Sequence, residues 1–164
     1  MKSKSFERTV YLCRAALIAA AYVVLTLLMR VLGLDSYVIQ LRLSEMLCIL
    51  PIFTSAAIPG LTIGCFLANL LSRAVILDVI VGPVATLIGA VGTYLLKKYK
   101  WLAPLPPVLS NTVIIPFVLS YGYGMTEAIP FMMMTVGIGE VLSIYGAGMV
   151  FYFAIRKHSK RLFE

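Results

Sequence analysis

Residues 10–31 read Val-Tyr-Leu-Cys-Arg-Ala-Ala-Leu-Ile-Ala-Ala-Ala-Tyr-Val-Val-Leu-Thr-Leu-Leu-Met-Arg-Val, a long apolar run. A helix rises 1.5 Å per residue, so about 20 apolar residues cross the hydrocarbon core of a bilayer. A second long run covers residues 128–155. These two runs predict a protein that spans a membrane with helices.

The composition of the whole chain supports this prediction. Of its 164 residues 13% are charged and 61% are hydrophobic, and the mean hydropathy is +0.98. Soluble domains carry roughly 25% charged residues, so an ordinary soluble domain is excluded. The run at residues 10–31 is also too long for the apolar region of a cleaved signal peptide, and we expect it to be a true span.

The positive charges lie in three groups that flank apolar runs. Eleven of the 14 basic residues belong to these groups: Lys2, Lys4, Arg8, Arg14, Lys97, Lys98, Lys100, Arg156, Lys157, Lys160 and Arg161. Basic residues beside spans mark the cytoplasmic side, so we expect both termini and the loop around residue 98 in the cytoplasm. Arg30, Arg42 and Arg73 then lie outside or buried. This distribution argues against nucleic acid as a partner.

Hydropathy predicts a single membrane domain over residues 1–164, folded as an all-α bundle of six transmembrane helices. The expected spans are 9–31, 44–58, 60–72, 79–97, 102–121 and 128–155. Pro59-Gly60 is expected to separate the second span from the third. Because those two are short against a core of about 30 Å, they are either two short spans or one re-entrant hairpin.

Several polar residues stand inside or beside these spans, where charge is costly and therefore typical of a functional site. Arg42 and Glu45 belong to the motif Gln40-Leu41-Arg42-Leu43-Ser44-Glu45, which precedes the second span. They either serve a site or form a salt bridge at a helix start, with Ser44 as N-cap. The alternation of polar and apolar residues predicts an extended lead-in to the helix.

Glu140 lies about eleven residues into the last span, near the centre of the bilayer. It either faces a polar cavity or has a structural partner, for which Arg73 and Ser143 are the candidates. Asn69, Asp78 and Asn111 are the other polar candidates. The two asparagines also fit structural roles, as a helix C-cap at Asn69 and as a hydrogen bond between helices at Asn111.

Two further features of the sequence bear on function: a run of small residues in the first span and the absence of an ATP-binding motif. Ala15, Ala16, Ala19 and Ala20 form two overlapping Ala-x-x-x-Ala registers, a pattern that lets another helix approach closely. The chain has no Walker A motif, so ATP hydrolysis is not expected in it. We expect no catalytic residues, no metal site and no bound cofactor. Active transport would need an ion gradient or another subunit.

Uncommon polar and proline positions along nearly the whole chain resemble the QueT family. The resemblance rests on the motif at residues 40–45 and on Leu50-Pro51, Ala57-Ile58-Pro59-Gly60-Leu61, Gly64-Cys65, Ala68-Asn69, Ala85-Thr86-Leu87-Ile88, and Leu102-Ala103-Pro104-Leu105-Pro106-Pro107-Val108 with Asn111. It implies six helices and a substrate-binding S component of an energy-coupling factor transporter in the bacterial cytoplasmic membrane. Its partners would be a transmembrane coupling subunit and two cytosolic ATPases that use the ATP.

The resemblance also implies a ligand and roles for the candidate residues. Ala15, Ala16, Ala19 and Ala20 would dock on the coupling subunit, and the loop after the first helix would be a lid. The substrate would be a queuosine precursor, a 7-deazaguanine base, bound from outside. A stand-alone proton-coupled transporter is the alternative, as is an S component for another vitamin.

A guanine-like edge offers neighbouring N–H donors that suit a carboxylate and a carbonyl that suits an amide or a guanidinium. Glu140 or Glu45 would therefore bind the donors, Asn111 or Asn69 the carbonyl, and Tyr37 would stack on the ring. Arg42, Gln40 and Asp78 complete the predicted site. The motif at residues 40–45 would form its rim, with its floor on the last span.

Overall fold

The structure is a computed structural model that describes residues 4–33 and 42–159. It contains α1 (Lys4–Val31), a 3₁₀-helix (Leu43–Ile52), α2 (Ala57–Leu71), α3 (Ile76–Leu95), α4 (Leu105–Tyr123), α5 (Ile129–Glu140), a π-helix (Val141–Gly148) and α6 (Met149–Arg156). The last three form one continuous helix, Ile129–Arg156. The described residues contain no strand, so the all-helical prediction is confirmed for this part of the chain.

Four helices are long and apolar enough to cross a membrane: α1, α3, α4 and the continuous helix Ile129–Arg156. The other two apolar helices are shorter. The 10-residue 3₁₀-helix is about 20 Å long and the 15-residue α2 about 22 Å, less than the bilayer core of about 30 Å. Between them they still traverse much of the bundle, in opposite directions.

The boundary between the 3₁₀-helix and α2 differs from the predicted one. The 3₁₀-helix ends at Ile52, and α2 already begins at Ala57, so the predicted boundary at Pro59-Gly60 is wrong. Pro59 lies in the first turn of α2, where a missing amide costs no intrahelical hydrogen bond. Pro106 and Pro107 likewise lie in the first turn of α4.

Small residues bring α1 and α2 together in parallel. A methyl group at Gly60 would lie 2.8 Å from the carbonyl oxygen of Ala15, and one at Gly64 would lie 3.1 Å from Cα of Ala19 and 2.8 Å from Cβ of Tyr22. Ala15 and Ala19 are buried in this contact. Close approach of backbones is the main source of helix association inside a membrane, so this face fixes the pair.

The α1–α2 contact gives a first testable prediction. Gly64→Ala is expected to destabilise the protein by about 1–3 kcal/mol, because the new methyl group meets backbone rather than a flexible side-chain end. Gly146→Ala is the matched control, since a methyl group at Gly146 meets nothing within 4 Å. Thermal unfolding in detergent measures both, and equal midpoints for the two variants would contradict the packing described.

A second close contact joins α3 and α4 as an antiparallel pair. A methyl group at Gly89 would lie 2.6 Å from Cα of Pro107, and one at Gly92 would meet the ring of Pro106 one turn further along α3. The glycines of one helix thus accommodate the prolines of the other. Only the short segment between Leu95 and Leu105 connects the two helices.

The helices alternate in direction, so each end of the bundle collects particular residues. One end gathers the start of α1, the end of the 3₁₀-helix and the end of α3, where a cleft is lined by Phe6, Ile52, Tyr94 and Lys97. We call this the basic end, because Lys97, Lys98 and Lys100 follow α3 there. The opposite end, the cavity end, gathers the end of α1, the start of the 3₁₀-helix, and the ends of α2 and α4.

Candidate functional site

A cavity of about 280 Å³ opens at the cavity end. Its polar lining consists of Thr26, Arg30, Arg42, Ser44, Asn69, Ser72, Asp78 and Tyr123. Its apolar lining consists of Met29, Ala74, Ile115, Val118, Leu119 and Met125. Ligand sites typically combine an apolar wall with a few placed polar groups, so this cavity is the candidate functional site.

Arg42 is positioned by a change of backbone conformation. Its φ and ψ of −99° and 86° are not helical, and the 3₁₀-helix starts at the next residue, Leu43. The predicted extended lead-in is wrong at Leu43 and Ser44, which already belong to the 3₁₀-helix, and its first residues, Gln40 and Leu41, lie outside the described residues. Its half-buried side chain lines the cavity and makes no hydrogen bond or ion pair with any residue in 4–33 or 42–159.

Glu45 points away from the cavity, into the core. It is 1% exposed, and its two carboxylate oxygens accept hydrogen bonds from Tyr22 Oη at 2.5 Å and from Cys48 Sγ at 3.1 Å. The alternative prediction, a salt bridge between Arg42 and Glu45, is wrong. The hydrogen bond between these two residues runs from the backbone N–H of Glu45 to the carbonyl oxygen of Arg42. The N-cap of the 3₁₀-helix is Arg42 and not Ser44. The side chain of Arg42 makes no capping hydrogen bond.

Glu140 is the second buried carboxylate, 3% exposed, at the last residue before the π-helix. Asn111 Nδ2 donates a hydrogen bond to its Oε1 at 3.0 Å. Its Oε2 and Ser143 Oγ are both buried without a partner among the described residues. Neither Arg73 nor Ser143 therefore pairs with Glu140, and the expected interhelical hydrogen bond of Asn111 is the one to this carboxylate.

Arg42 connects the cavity with these carboxylates electrostatically. Its charge interacts with those of Glu45 and Asp78, and it also acts on Glu140. A guanidinium near three carboxylates but in contact with none of them keeps its hydrogen-bond donors available to a ligand. The π-helix begins directly after Glu140, and π-helices are frequent at functional sites.

Asp78 joins three helices at the mouth of the cavity. Asn69 Nδ2 at the end of α2 donates to the Asp78 carbonyl oxygen at 2.9 Å and to Oδ1 at 3.3 Å, and Tyr123 Oη at the end of α4 donates to Oδ2 at 3.0 Å. A methyl group at Gly82 would lie 2.7 Å from Asn69 Nδ2, so this network requires glycine there.

A family model described as QueT transporter matches residues 12–157. The chain belongs to the QueT transporter family. Together with the long apolar helices, this makes it a multi-pass membrane protein.

One curated relative of this QueT family member is named Queuosine precursor transporter QueT, from Lactococcus lactis subsp. cremoris. It is 36% identical over 100 residues, which cover 60% of this chain and 56% of the relative. The match thus spans little more than half of the relative's length. No solved structure matches the chain at a significant level.

The structure separates the predicted site residues of this QueT family protein into two layers. Arg42, Asn69 and Asp78 line the cavity, whereas Glu45, Asn111 and Glu140 are buried away from its surface. Tyr37 and Gln40 lie outside the described residues, so their predicted roles stay predictions.

Several polar residues of this region were not identified from the sequence. Arg30 and Tyr123 line the cavity, and Tyr22 binds Glu45. A tyrosine in the middle of an apolar span was an available signal for Tyr22, because its hydroxyl needs a buried partner. Tyr22 also lies on the helix face of Ala15 and Ala19, which predicts that it faces inward.

The predicted docking face on α1 divides into two registers. Ala15 and Ala19 are buried against α2, and only Ala16 and Ala20 are exposed. Ala15 and Ala19 pack against α2 of the same chain, so they are not available to a partner in this structure. A partner that docks on α1 through these alanines would therefore contact Ala16 and Ala20, which lie beside the exposed Leu17 and Val24.

Proposed function

We propose that this protein is the substrate-binding S component of an ATP-driven energy-coupling factor importer, and that it takes up a queuosine precursor, a 7-deazaguanine base. The observation that carries the proposal is the Arg42 side chain, which lines the cavity and pairs with none of the described residues, near buried carboxylates. The name of the Lactococcus relative and the family membership support the substrate.

The chemistry of the cavity suits the edge of a guanine-like base. Such an edge presents a carbonyl acceptor next to N–H donors, and the site presents donors and acceptors in separate layers. Arg42 supplies donors for the carbonyl, with Asn69 nearby in the lining. Glu140 Oε2, which is buried and has no partner among the described residues, supplies an acceptor for the N–H groups.

The two carboxylates differ in the use of their oxygens, and this assigns the role of each. Glu45 already accepts two hydrogen bonds, so we assign it to holding Tyr22 and Cys48 and to balancing the charge of Arg42. Glu140 keeps one oxygen without a donor among the described residues, and we assign it as the carboxylate that binds the ligand.

We infer six membrane spans, with both termini in the cytoplasm and the cavity open to the outside. The two short helices traverse the bundle in opposite directions. Most basic residues of the described part of the chain lie at the end away from the cavity, whereas Arg30 and Arg42 line the cavity itself. The positive-inside rule then orients the basic end towards the cytoplasm of a bacterial cell. A substrate would enter from outside, as an importer requires.

Labelling of single cysteines tests this orientation. In a Cys13→Ser background, Thr126→Cys in the turn before α5 is expected to react with an impermeant maleimide in intact cells. Lys98→Cys at the basic end is expected to react only after permeabilisation. The reverse pattern would contradict the orientation, and labelling of both in intact cells would contradict the topology.

The partner subunits follow from the proposed class. A transmembrane coupling subunit and two cytosolic ATPases would supply the energy, and this chain would bind no cofactor of its own. Purification of the tagged protein from its native membrane is expected to bring down these subunits, and uptake is expected to stop without them. Uptake by this chain alone, driven by a pH gradient, would contradict the proposal.

That second outcome corresponds to a stand-alone proton-coupled transporter. One observation favours it: Glu140 is a buried carboxyl group with one oxygen that has no partner among the described residues, and such groups carry protons in many transporters. Ligand binding to the purified protein tests the substrate itself. We expect calorimetry to detect a 7-deazaguanine base and not flavin, thiamine or folate, and a preference for one of these would identify another vitamin.

A further inference from the structure

We propose that Tyr123 is the side chain on which the planar base stacks, and that Asp78 and Asn69 position its ring. This inference rests on the proposed function, because it assumes a flat heteroaromatic ligand in the cavity. It adds a determinant of specificity that the sequence did not indicate, and it changes the role expected of Asp78.

Tyr123 is suited to stacking by its place in the lining. Among the lining residues in the described part of the chain it is the aromatic one, and it is 45% exposed. The neighbouring wall from α1 and α4 is aliphatic, with Met29, Ile115 and Val118. Aliphatic side chains accept any apolar shape, whereas an aromatic ring favours a planar π-system.

The hydrogen bond to Asp78 restricts the ring of Tyr123. Its hydroxyl donates to Oδ2 of Asp78, and Oδ1 of the same carboxylate accepts from Asn69. Asn69 in turn is fixed to the backbone of Asp78 at 2.9 Å. A ring that is tethered at its hydroxyl and at its backbone loses little freedom when a ligand binds, which favours affinity.

Close backbone packing supports the same geometry. A methyl group at Gly122 would lie 3.0 Å from Cγ2 of Val75, so the end of α4 lies directly against the turn that leads into α3. Asp78 follows this turn by three residues. Both ends of the Tyr123–Asp78 hydrogen bond are therefore held by the contact between α4 and α3.

The carboxylate of Asp78 consequently has a positioning role. Each of its oxygens already accepts a hydrogen bond from a neutral protein donor. A ligand donor would have to displace Asn69 or Tyr123 to bind there. We therefore assign the charged contacts with the base to Arg42 and Glu140, and the orientation of the stacking ring to Asp78.

Two substitutions of Tyr123 and one control test the proposal by calorimetry with a 7-deazaguanine base. Tyr123→Leu removes the ring and is expected to raise Kd by about 5–150-fold, the usual range for loss of base stacking. Tyr123→Phe keeps the ring without the tether and is expected to raise Kd by less than about 10-fold. Tyr121→Leu is the matched control, since Tyr121 is 76% exposed on the same turn and does not line the cavity.

Asp78→Asn separates positioning from contact. If Asp78 acts through Tyr123, the double variant with Tyr123→Phe binds no worse than the weaker of the two single variants. Independent losses that multiply would instead make Asp78 a direct ligand. The change in ligand absorbance on binding reports stacking itself, and we expect it to persist in Tyr123→Phe and to disappear in Tyr123→Leu.

The outcomes distinguish this inference from the proposed function. Absence of binding to the unaltered protein contradicts the proposed function, and the stacking proposal fails with it. Normal binding by the unaltered protein and by Tyr123→Leu contradicts the stacking proposal alone. Equal losses in Tyr123→Phe and Tyr123→Leu would assign the effect to the hydroxyl group and also overturn it.

Discussion

Glu140→Gln is expected to weaken binding of a 7-deazaguanine base by about 10–150-fold, with little change in the stability of the unliganded protein. A hydrogen bond to a charged group contributes about 1.5–3 kcal/mol, which gives this range of Kd. Glutamine keeps the carbonyl oxygen that accepts from Asn111 Nδ2 and replaces the oxygen that has no partner among the described residues. The substitution therefore removes the acceptor for the ligand and leaves the helix contact intact.

Glu45→Gln is the informative comparison. Both oxygens of Glu45 accept hydrogen bonds, so an amide NH₂ group must face either Tyr22 or Cys48. We expect this variant to lose about 1–3 kcal/mol of stability, because a buried donor then faces another donor. Glu127→Gln, at an exposed carboxylate in the turn before α5, is the control for the charge change.

Calorimetry and thermal unfolding in detergent together separate the two carboxylates. Unchanged affinity in Glu140→Gln would exclude this residue from the binding site. A loss of affinity without a loss of stability in Glu45→Gln would exchange the two assigned roles.

Ala16→Trp is expected to abolish uptake in cells while the purified protein binds its substrate with normal affinity. Ala16 is exposed on α1, and a bulky ring there prevents close approach of a partner helix without entering the core of this chain. Under the proposed function, transport needs the energising subunits and binding does not, so the expected loss of uptake is complete.

Two controls make this prediction specific. Val113→Trp introduces the same ring at an exposed position on α4, away from the α1 face, and is expected to preserve uptake. Ala15→Trp introduces it into the contact with Gly60 and is expected to prevent folding. Loss of substrate binding in Ala16→Trp would show that this residue belongs to the folded core, and normal uptake would place the partner elsewhere.

The helical class of the fold could be predicted because a membrane permits few alternatives. Long apolar runs must satisfy their backbone hydrogen bonds internally, so hydropathy alone indicates helices. The ends of the short helices could not be predicted in the same way. A proline is tolerated both in the first turn of a helix and after its end, and Pro59 proved to be of the first kind.

The residue types of the candidate site could be predicted, whereas the hydrogen-bond partners of these residues largely could not. Arg42 and Glu45 are three residues apart, which suggested a salt bridge, yet the backbone at Arg42 is not helical and the two side chains separate. The partner of Glu45 is Tyr22, from a helix 23 residues earlier in the chain. Such long-range pairs depend on helix packing, which a single sequence does not reveal.

The π-helix at Val141–Gly148 was equally hidden, because one extra residue in a helical turn leaves no reliable trace in hydropathy. The π-helix contains two glycines, Gly146 and Gly148. One of them, Gly148, does pack closely, since a methyl group there would lie 3.3 Å from the carbonyl oxygen of Met46.

The interlocking of Gly89 and Gly92 with Pro107 and Pro106 has a consequence for how the protein is made. The two helices are neighbours in sequence, and this contact involves only residues of α3 and α4. A membrane insertion machinery can therefore receive α3 and α4 as one preassembled hairpin. In the proposed orientation, the lysines at residues 97, 98 and 100 would stay on the ribosome side of the membrane. This hairpin would give the later spans a template, so damage to it should reduce the yield of protein in the membrane before it affects any bound ligand.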